Sequence, residues 1–220
     1  MRLNSPHKIS GLYAVTPDEP DTALLVQKVT SALQGGVSLL QYRNKAANHK
    51  LKTQQARALL PLCWQYGVPL IINDSIKLCL TLDADGVHLG AEDGDLKEAR
   101  ARLGAGKILG ASCYNRIDLA TQAQSAGADY VAFGACFGSN TKPNARHAPL
   151  SLFKEARQHI HVPMVAIGGI SLENAQQVLQ AGADAIAVVN ALFNAKKITE
   201  TGQQLSRYFP RENFDALQAL

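Results

Sequence analysis

The segment Ala126-Gly127-Ala128-Asp129-Tyr130-Val131-Ala132 returns later in the chain as Ala181-Gly182-Ala183-Asp184-Ala185-Ile186-Ala187. Two related segments occur earlier, at 34–40 and 83–89. Each follows a stretch with helical spacing and precedes a short apolar run, as expected where a capped helix gives way to a strand. The segments recur roughly every 50 residues, the length of a strand–helix–strand–helix unit. The repeat therefore predicts a chain built from four such units.

Eight short apolar runs have the character of buried parallel strands. They lie at 11–15, 38–42, 69–72, 86–89, 108–112, 130–133, 164–167 and 185–189. Stretches with helical spacing lie at 23–33, 49–66, 76–82, 96–103, 117–126, 152–159, 172–181 and 191–209. This alternation predicts an α/β protein with the (β/α)8 TIM-barrel fold. An open doubly wound sheet is the alternative, but it would require a G-x-G-x-x-G motif after the first strand, and residues 11–17 contain none.

Composition limits the class of protein. The 220 residues are 46% hydrophobic and 18% charged, with a net charge of +4, which excludes a disordered chain and gives no support to nucleic-acid binding. No run approaches the roughly 18 apolar residues of a membrane span, and the first residues do not resemble a signal peptide. We expect one soluble, cytoplasmic domain over 1–220, with an extension at 1–10 and a tail at 210–220.

The four cysteines form no C-x-x-C pair and have no metal-ligand spacing. Cys113 and Cys136 lie within apolar runs, which favours small core residues in a reducing compartment. A catalytic thiol is the alternative interpretation.

In the barrel fold, active-site residues lie in the segments just after each strand, at the carboxyl ends. After the second strand, Gln41, Arg43 and Lys45 alternate in extended chain and so share one face. An arginine and a lysine that converge at a barrel mouth would bind phosphate or diphosphate. A solvated strand end explains these residues equally well.

Acidic side chains follow the next two strands. Asp74 comes after the third strand, and Asp93 comes four residues after the end of the fourth. Two carboxylates that face a basic cluster would hold a hard cation such as Mg2+, bridging to a diphosphate. Taken singly, Asp74 could be a helix N-cap and Asp93 a turn residue.

Polar groups also follow the later strands. Ser112 ends the fifth strand, and the long loop 134–148 offers Ser139, Thr141 and Lys142 as donors to an anion, although a flexible surface loop is the alternative. After the seventh strand, Gly168-Gly169 opens a helix, and Val189-Asn190 does so after the eighth. This corner is the recurring phosphate site of barrels, but a glycine pair also serves any tight turn.

His88 lies inside the fourth strand, and we interpret it as a hydrogen-bonded residue lining the barrel rather than a catalytic one.

Several of these motifs together resemble the thiamine-phosphate synthase family, in order and at compatible spacing from about residue 11 to about residue 193. The motifs are Gln41-x-Arg43-x-Lys45, Asn73-Asp74, Gly86-Val87-His88-Leu89-Gly90 with Asp93, Ser112, Thr141-Lys142 and Ala166-Ile167-Gly168-Gly169-Ile170. The resemblance implies a Mg2+-dependent transferase that condenses 4-amino-2-methyl-5-hydroxymethylpyrimidine diphosphate with 4-methyl-5-(2-phosphoethyl)thiazole. The products are thiamine phosphate and pyrophosphate, and the family mechanism is dissociative.

The resemblance also implies residue roles. Arg43, Lys45, Lys142 and Ser112 would be catalytic, and Asp74 and Asp93 would bind Mg2+. The substrates would be bound by Gln41, Tyr42, Arg43, Asn44, Lys45, Asn73, Ser112, Ser139, Asn140, Thr141, Lys142, Gly169, Val189 and Asn190. The chain departs from the family's common pattern at Asn44, Ala91, Gly138 and Asn190, where glutamate, glutamine, proline and serine are usual.

Two other functions remain as alternatives. A thiazole tautomerase on the same barrel would not need the full metal and diphosphate set. A non-catalytic protein that binds the thiazole or pyrimidine phosphate would leave the two carboxylates poorly explained. The expected partners are the two small-molecule substrates, with no nucleic acid and no membrane, and a homo-oligomer is possible.

Overall fold

The computed structural model describes residues 9–138 and 147–209. Its strands are β1 (Gly11–Val15), β2 (Leu39–Tyr42), β3 (Leu70–Asn73), β4 (Gly86–Leu89), β5 (Ile108–Tyr114), β6 (Tyr130–Phe133), β7 (Met164–Ile167) and β8 (Ala185–Val188). Its helices are α1 (Thr22–Gln34), α2 (His49–Gln65), α3 (Ile76–Leu82), α4 (Leu96–Leu103), α5 (Ile117–Ser125), α6 (Ser151–Ala156), α7 (Ala175–Gln180), α8 (Asn190–Phe193) and α9 (Ile198–Ser206). Most of the predicted extension and the whole predicted tail lie outside the described residues.

The strands form a closed parallel barrel in chain order, which confirms the predicted fold. Closure is made by β1, which pairs with β2 on one side and with β8 on the other. The alternation of side chains along each strand divides the core in two. On β1, Tyr13 and Val15 point into the barrel, while Leu12 and Ala14 pack beneath the helices.

Three of the four repeated segments have a common structural role at the amino ends of the strands. The aspartate before β4, β6 and β8 accepts a hydrogen bond from a backbone N–H of the preceding odd strand. Asp85 accepts from Leu70 at 2.8 Å, and Asp184 accepts from Met164 at 2.7 Å. Asp129 accepts from the Leu109 N–H at 2.6 Å. These amino-end aspartate bonds satisfy backbone donors that the strand ladder leaves open.

The residue two positions before each of these aspartates turns the chain from helix to strand. Gly127 and Gly182 do so with φ of 88° and 108°, the left-handed region that glycine enters without strain. In the segment at 83–89 the same position is Asp83, with φ of 56°. Aspartate is among the few other residues that adopt this conformation.

A buried pair of tyrosines fills the middle of the barrel. The rings of Tyr13 and Tyr130 meet edge to face with centroids 5.9 Å apart. Room for Tyr130 comes from Gly110 on β5, because a Cβ there would lie 2.1 Å from Tyr130 Cζ. Glycine at this inward position is therefore required by packing.

The prediction of one helix over 191–209 is wrong. Helix α8 ends at Phe193, and α9 begins at Ile198. The break lets α9 lie against α1, where the two backbones come so close that a Cβ on Gly202 would be 2.9 Å from Gly35 Cα. The Thr199 hydroxyl also donates to the Ser31 carbonyl at 3.0 Å.

Helix α7 is shorter than the predicted 172–181. The Asn174 side chain accepts from the Ser171 N–H and donates to the Gly169 carbonyl, both at 2.9 Å. Asparagine thus folds the chain into a turn before the helix begins at Ala175, in competition with helical backbone bonds.

The four cysteines are buried thiols, which confirms the prediction of core residues for Cys113 and Cys136. Burial raises the pKa of Cys113 to about 12 and that of Cys136 to about 11, so neither thiol ionises near neutral pH. In the described parts of the chain, no helix has the length and apolarity needed to cross a membrane.

Candidate active site

A cavity of about 680 Å3 opens at the carboxyl ends of the strands. Its base is formed by inward side chains of the barrel, and its rim by the segments that follow the strands. The predicted site residues that line it are Gln41, Arg43, Lys45, Asn73, Asp74, Asp93, Ser112, Gly169, Val189 and Asn190. The barrel fold therefore brings together groups that are widely separated in sequence.

Arg43 and Lys45 form a basic side of this cavity. The buried Thr16 hydroxyl accepts from the Arg43 N–H at 2.8 Å and donates to the Arg43 carbonyl at 2.7 Å, which fixes the backbone just beyond β2. Asp18 accepts from the Lys45 N–H at 2.8 Å and lies 3.3 Å from the Arg43 guanidinium. The two cations are thus held at the rim by hydrogen bonds from the segment after β1.

Tyr42 and Asn44, which were expected among the substrate-binding residues, are not brought into the cavity. Strand alternation turns both toward α2, where Tyr42 Oη donates to Gln55 Oε1 at 2.8 Å. Asn44 donates to the Glu19 carbonyl at 2.8 Å and to Gln55 Oε1 at 3.0 Å. Their role is to anchor the segment that carries the two cations.

Asp74 and Asp93 lie side by side at the rim of the cavity, where the ends of neighbouring strands were expected to bring them. Asp74 has φ of 60°, in the left-handed region that aspartate adopts more readily than most other residues. Ser75, rather than Asp74, caps α3 by accepting from the Leu78 N–H at 3.2 Å. Asp93 accepts from the Gly90 N–H at 2.7 Å, so it is a turn residue and a cavity residue at once.

The electrostatics of this pair suit a divalent cation. Burial and the neighbouring Asp93 raise the pKa of Asp74, while Lys45, whose ammonium lies 3.5 Å from Asp74 Oδ2, opposes that rise. Two carboxylates that repel each other at a rim offer the hard oxygen donors that Mg2+ prefers. Within residues 9–138 and 147–209, no group of three or more histidine, cysteine or acidic side chains is arranged to hold a metal.

Ser112 lies at the cavity and is bonded to His88, which also lines it. His88 Nε2 and Ser112 Oγ are 2.8 Å apart, and His88 Nδ1 lies 2.9 Å from Tyr130 Oη. Burial lowers the pKa of His88 to about 4, so the ring is neutral at physiological pH. This confirms the prediction of a hydrogen-bonded histidine that lines the barrel.

Gly168 and Gly169 form the opposite side of the cavity with φ of 102° and 63°. A Cβ on Gly168 would lie 2.6 Å from Ala135, and one on Gly169 would lie 2.5 Å from the Gly138 carbonyl oxygen. The pair is needed because the segment after β6 passes directly over it. The two helices that were expected to open at this corner offer little to a phosphate, because α7 begins only at Ala175 and α8 spans four residues.

Four predicted site residues, Ser139, Asn140, Thr141 and Lys142, lie outside the described residues. Other cavity residues were missed from the sequence. Tyr114 and Arg116 follow Ser112 at alternating positions, and this spacing after a strand could have identified them. Arg116 pairs with Asp118 at the rim. Tyr13 also lines the cavity, and its inward position on β1 was a readable signal.

These features define a (β/α)8 barrel whose cavity at the carboxyl ends of the strands is lined by basic and acidic side chains. A family model described as thiamine monophosphate synthase matches residues 12–192. The thiamine-phosphate synthase of Methylobacillus flagellatus is 54% identical over 209 residues, covering 95% of this chain and 100% of that protein. The thiamine-phosphate synthase of Aromatoleum aromaticum is 52% identical, covering 95% and 98%.

Solved structures agree with the sequence relatives. The thiamine phosphate pyrophosphorylase of Pyrococcus furiosus superposes with a TM-score of 0.81 at 32% identity, covering 90% of this chain and 94% of that one. A 3-hexulose-6-phosphate synthase, with a TM-score of 0.69 at 15% identity, shares the fold alone. The chain belongs to the thiamine monophosphate synthase family, and it is a transferase.

Proposed function

We propose that the chain condenses 4-amino-2-methyl-5-hydroxymethylpyrimidine diphosphate with 4-methyl-5-(2-phosphoethyl)thiazole to give thiamine phosphate and pyrophosphate. Family membership supports this activity. One observation carries the chemistry: Arg43 and Lys45 share a cavity rim with the adjoining carboxylates of Asp74 and Asp93. Cations suit the diphosphate oxygens, and the carboxylates suit a divalent ion that accompanies them.

The reaction exchanges one bond for another at the methylene carbon of the pyrimidine. The carbon–oxygen bond breaks, and both electrons leave with the diphosphate. The thiazole nitrogen then donates its lone pair to form the new carbon–nitrogen bond. Arg43 and Lys45 stabilise the negative charge that accumulates on the departing group, an interaction that strengthens toward the transition state.

The basic side of the cavity is prepared before substrate arrives. Thr16 and Asp18 hold the backbone at Arg43 and Lys45, and Asp18 lies beside the Arg43 guanidinium. Donors fixed in advance stabilise developing charge without reorganising during the reaction. No general base is needed, because the nucleophilic nitrogen carries no proton.

The walls opposite the basic side are apolar. Val15, Ala132, Val165, Ile167 and Ala187 line the cavity from β1, β6, β7 and β8. A carbon that becomes positively charged is captured by water where water is present, so apolar walls favour capture by the thiazole instead. Beyond them, the exposed backbone of the Gly168-Gly169 turn suits the second phosphate.

Asp74 and Asp93 would hold Mg2+ in this cavity. When bound, the ion supplies positive charge to the diphosphate that leaves. Asn73, next to Asp74, and Gln41 offer amide groups to the pyrimidine substrate.

The activity is tested by incubating the purified protein with both substrates and Mg2+ and measuring thiamine phosphate and pyrophosphate together. Equal amounts of the two products are expected. If calorimetry shows that both ligands bind and no product forms, the chain is a binding protein and the proposal fails. Conversion of the thiazole phosphate alone to an isomer would instead support a tautomerase.

The metal assignment is tested with Asp74→Asn. The variant should lose most activity at low Mg2+ concentration and require more Mg2+ for half-maximal rate. Asp95→Asn is the matched control, since Asp95 caps α4 by accepting from the Glu98 N–H at 2.9 Å, and asparagine caps equally well. An Asp74→Asn variant with the Mg2+ dependence of Asp95→Asn would contradict the assignment.

A cytoplasmic location and a homo-oligomeric state also belong to this proposal. The buried thiols of all four cysteines suit a reducing compartment. Light scattering on the purified chain measures its oligomeric state directly.

A further inference from the structure

Five polar side chains form a hydrogen-bonded chain across the barrel at the base of the cavity. Gln41 Nε2 donates to Tyr13 Oη at 2.8 Å, and the Tyr13 and Tyr130 hydroxyls are 2.7 Å apart. Tyr130 Oη lies 2.9 Å from His88 Nδ1, and His88 Nε2 lies 2.8 Å from Ser112 Oγ. The chain connects β2, β1, β6, β4 and β5, and its members other than Tyr130 line the cavity.

The number of available protons sets the direction of donation along this hydrogen-bonded chain. An amide nitrogen only donates, so Tyr13 Oη accepts from Gln41 and retains its own proton. The acceptor for that proton is Tyr130 Oη, which leaves the Tyr130 proton for His88 Nδ1. In the opposite direction the Tyr13 hydroxyl would accept from both Gln41 and Tyr130, and its own proton would have no acceptor among the described residues around this buried group, which is costly.

The same direction of hydrogen-bond donation continues from His88 to Ser112. A ring nitrogen that accepts a hydrogen bond carries no proton, and since Nδ1 accepts from Tyr130, the proton of the imidazole resides on Nε2. Nε2–H then donates to Ser112 Oγ, and the serine keeps its own proton for another partner. Stacking of the His88 and Tyr130 rings, with centroids 5.5 Å apart and planes 22° apart, holds the imidazole in place.

We propose that Tyr130 and His88 are positioning residues that hold the Ser112 hydroxyl as a hydrogen-bond donor toward the bound substrate. The partner is an acceptor atom, either a pyrimidine ring nitrogen or a diphosphate oxygen. The inference rests on the proposed function for the identity of that substrate. The direction of the hydrogen-bonded chain is a property of the protein without substrate and is measured independently.

The first test determines which nitrogen of His88 carries the proton. Long-range 1H–15N correlation spectra of the full-length protein, labelled with 15N-histidine, distinguish the two tautomers, and a His88→Gln variant assigns the signals. We expect the proton on Nε2 in the wild-type protein at neutral pH. A proton on Nδ1 would overturn the inference, whatever the activity of the protein.

Two tyrosine variants form a matched pair for this measurement. Each removes one buried hydroxyl from the same chain. Tyr130→Phe takes away the donor to His88 Nδ1, so the proton is expected to shift toward Nδ1. Tyr13→Phe leaves the Tyr130 hydroxyl with His88 as its acceptor, so the Nε2 tautomer should persist. Identical spectra for the His88 ring in both variants would refute the assigned direction.

The second test asks whether Tyr130 acts through Ser112. In single turnovers with both substrates saturating, Tyr130→Phe should slow thiamine phosphate formation about tenfold, with a smaller effect on substrate binding. On a Ser112→Ala background, the same change should have almost no further effect on rate. Additive effects of the two substitutions would show a merely structural role for Tyr130 and overturn the proposal. A wild-type protein that forms no product would refute the proposed function, while the tautomer result would still decide the direction of the chain.

Discussion

Gly110→Ala is expected to disturb the barrel interior without touching the cavity rim. Gly110 lies on β5 with its α-carbon facing the ring of Tyr130, and an added Cβ would lie 2.1 Å from Cζ and 2.3 Å from Oη. Tyr130 is fully buried, so its ring has no solvent to move into. The substitution therefore acts on the tyrosine and on its hydrogen bonds.

The size of the effect follows from these distances. Carbon atoms in ordinary contact are about 3.5 Å apart, so the ring must move by about 1.4 Å. The hydroxyl bonds of Tyr130 to Tyr13 and His88, now 2.7 and 2.9 Å, do not survive such a shift. Overpacking costs about 1–3 kcal/mol, and a buried polar group left unpaired costs a similar amount. We expect the free energy of unfolding to fall by roughly 3–5 kcal/mol.

Urea unfolding followed by circular dichroism measures this loss. Gly106→Ala is the matched control, because it makes the same change on the exposed connection before β5, where a Cβ would meet nothing within 4 Å. It should change the free energy of unfolding by less than about 0.5 kcal/mol. If Gly110→Ala were as stable as Gly106→Ala, the packing argument and the fixed position of Tyr130 would both be refuted.

Three further predictions concern single charges. Asp74→Asn should increase the free energy of unfolding at neutral pH in EDTA, because burial and Asp93 raise the pKa of Asp74 and so make its ionised form unfavourable in the folded protein. The gain should vanish as the pH falls below about 4, where the wild-type carboxyl is protonated in both states, and urea unfolding at both pH values checks this. Asp129→Ala should lower the free energy of unfolding by about 1–3 kcal/mol, since the Leu109 N–H loses its acceptor. Asp129→Asn keeps an acceptor for this N–H and should lower the free energy of unfolding less. Equal losses for the two variants in urea unfolding would contradict the role of the bond. Lys45→Gln should reduce kcat by about 10²–10³ if the ammonium stabilises the departing diphosphate, whereas Arg102→Gln on the outer face of α4 should leave the steady-state rate unchanged.

The fold was predictable because its signals are local and repeated. The strands Gly11–Val15, Gly86–Leu89, Tyr130–Phe133 and Met164–Ile167 have the predicted bounds, since each is a short apolar run between polar or small residues. The final helix was not predictable in the same way. Its interruption between Phe193 and Ile198 depends on the close approach of Gly35 and Gly202, which are far apart in sequence.

The site was predictable where a side chain's direction follows from its strand. Arg43, Lys45, Asp74 and Asp93 line one cavity because parallel strands end at one face of the barrel. Tyr42 was expected to bind substrate because it lies between Gln41 and Arg43 in the sequence. Side chains alternate along a strand, however, and Tyr42 therefore points toward α2.

The hydrogen-bonded chain at the base of the cavity could not be predicted from the sequence. Tyr13 and Tyr130 are separated by 117 positions, and each is an ordinary apolar-run tyrosine when considered alone. Their pairing depends on barrel closure and on the missing side chain of Gly110, which is a three-dimensional condition.

The amino-end aspartate bonds have a consequence for how this barrel tolerates change. Asp85, Asp129 and Asp184 each join an even strand to the odd strand before it, on the face opposite the cavity. Three of the four consecutive strand pairs, β3–β4, β5–β6 and β7–β8, are thus joined by a bond that does not involve the residues of the cavity rim. We therefore expect rim residues on these pairs to be exchangeable for those of a relative without loss of the bonds that join the strands.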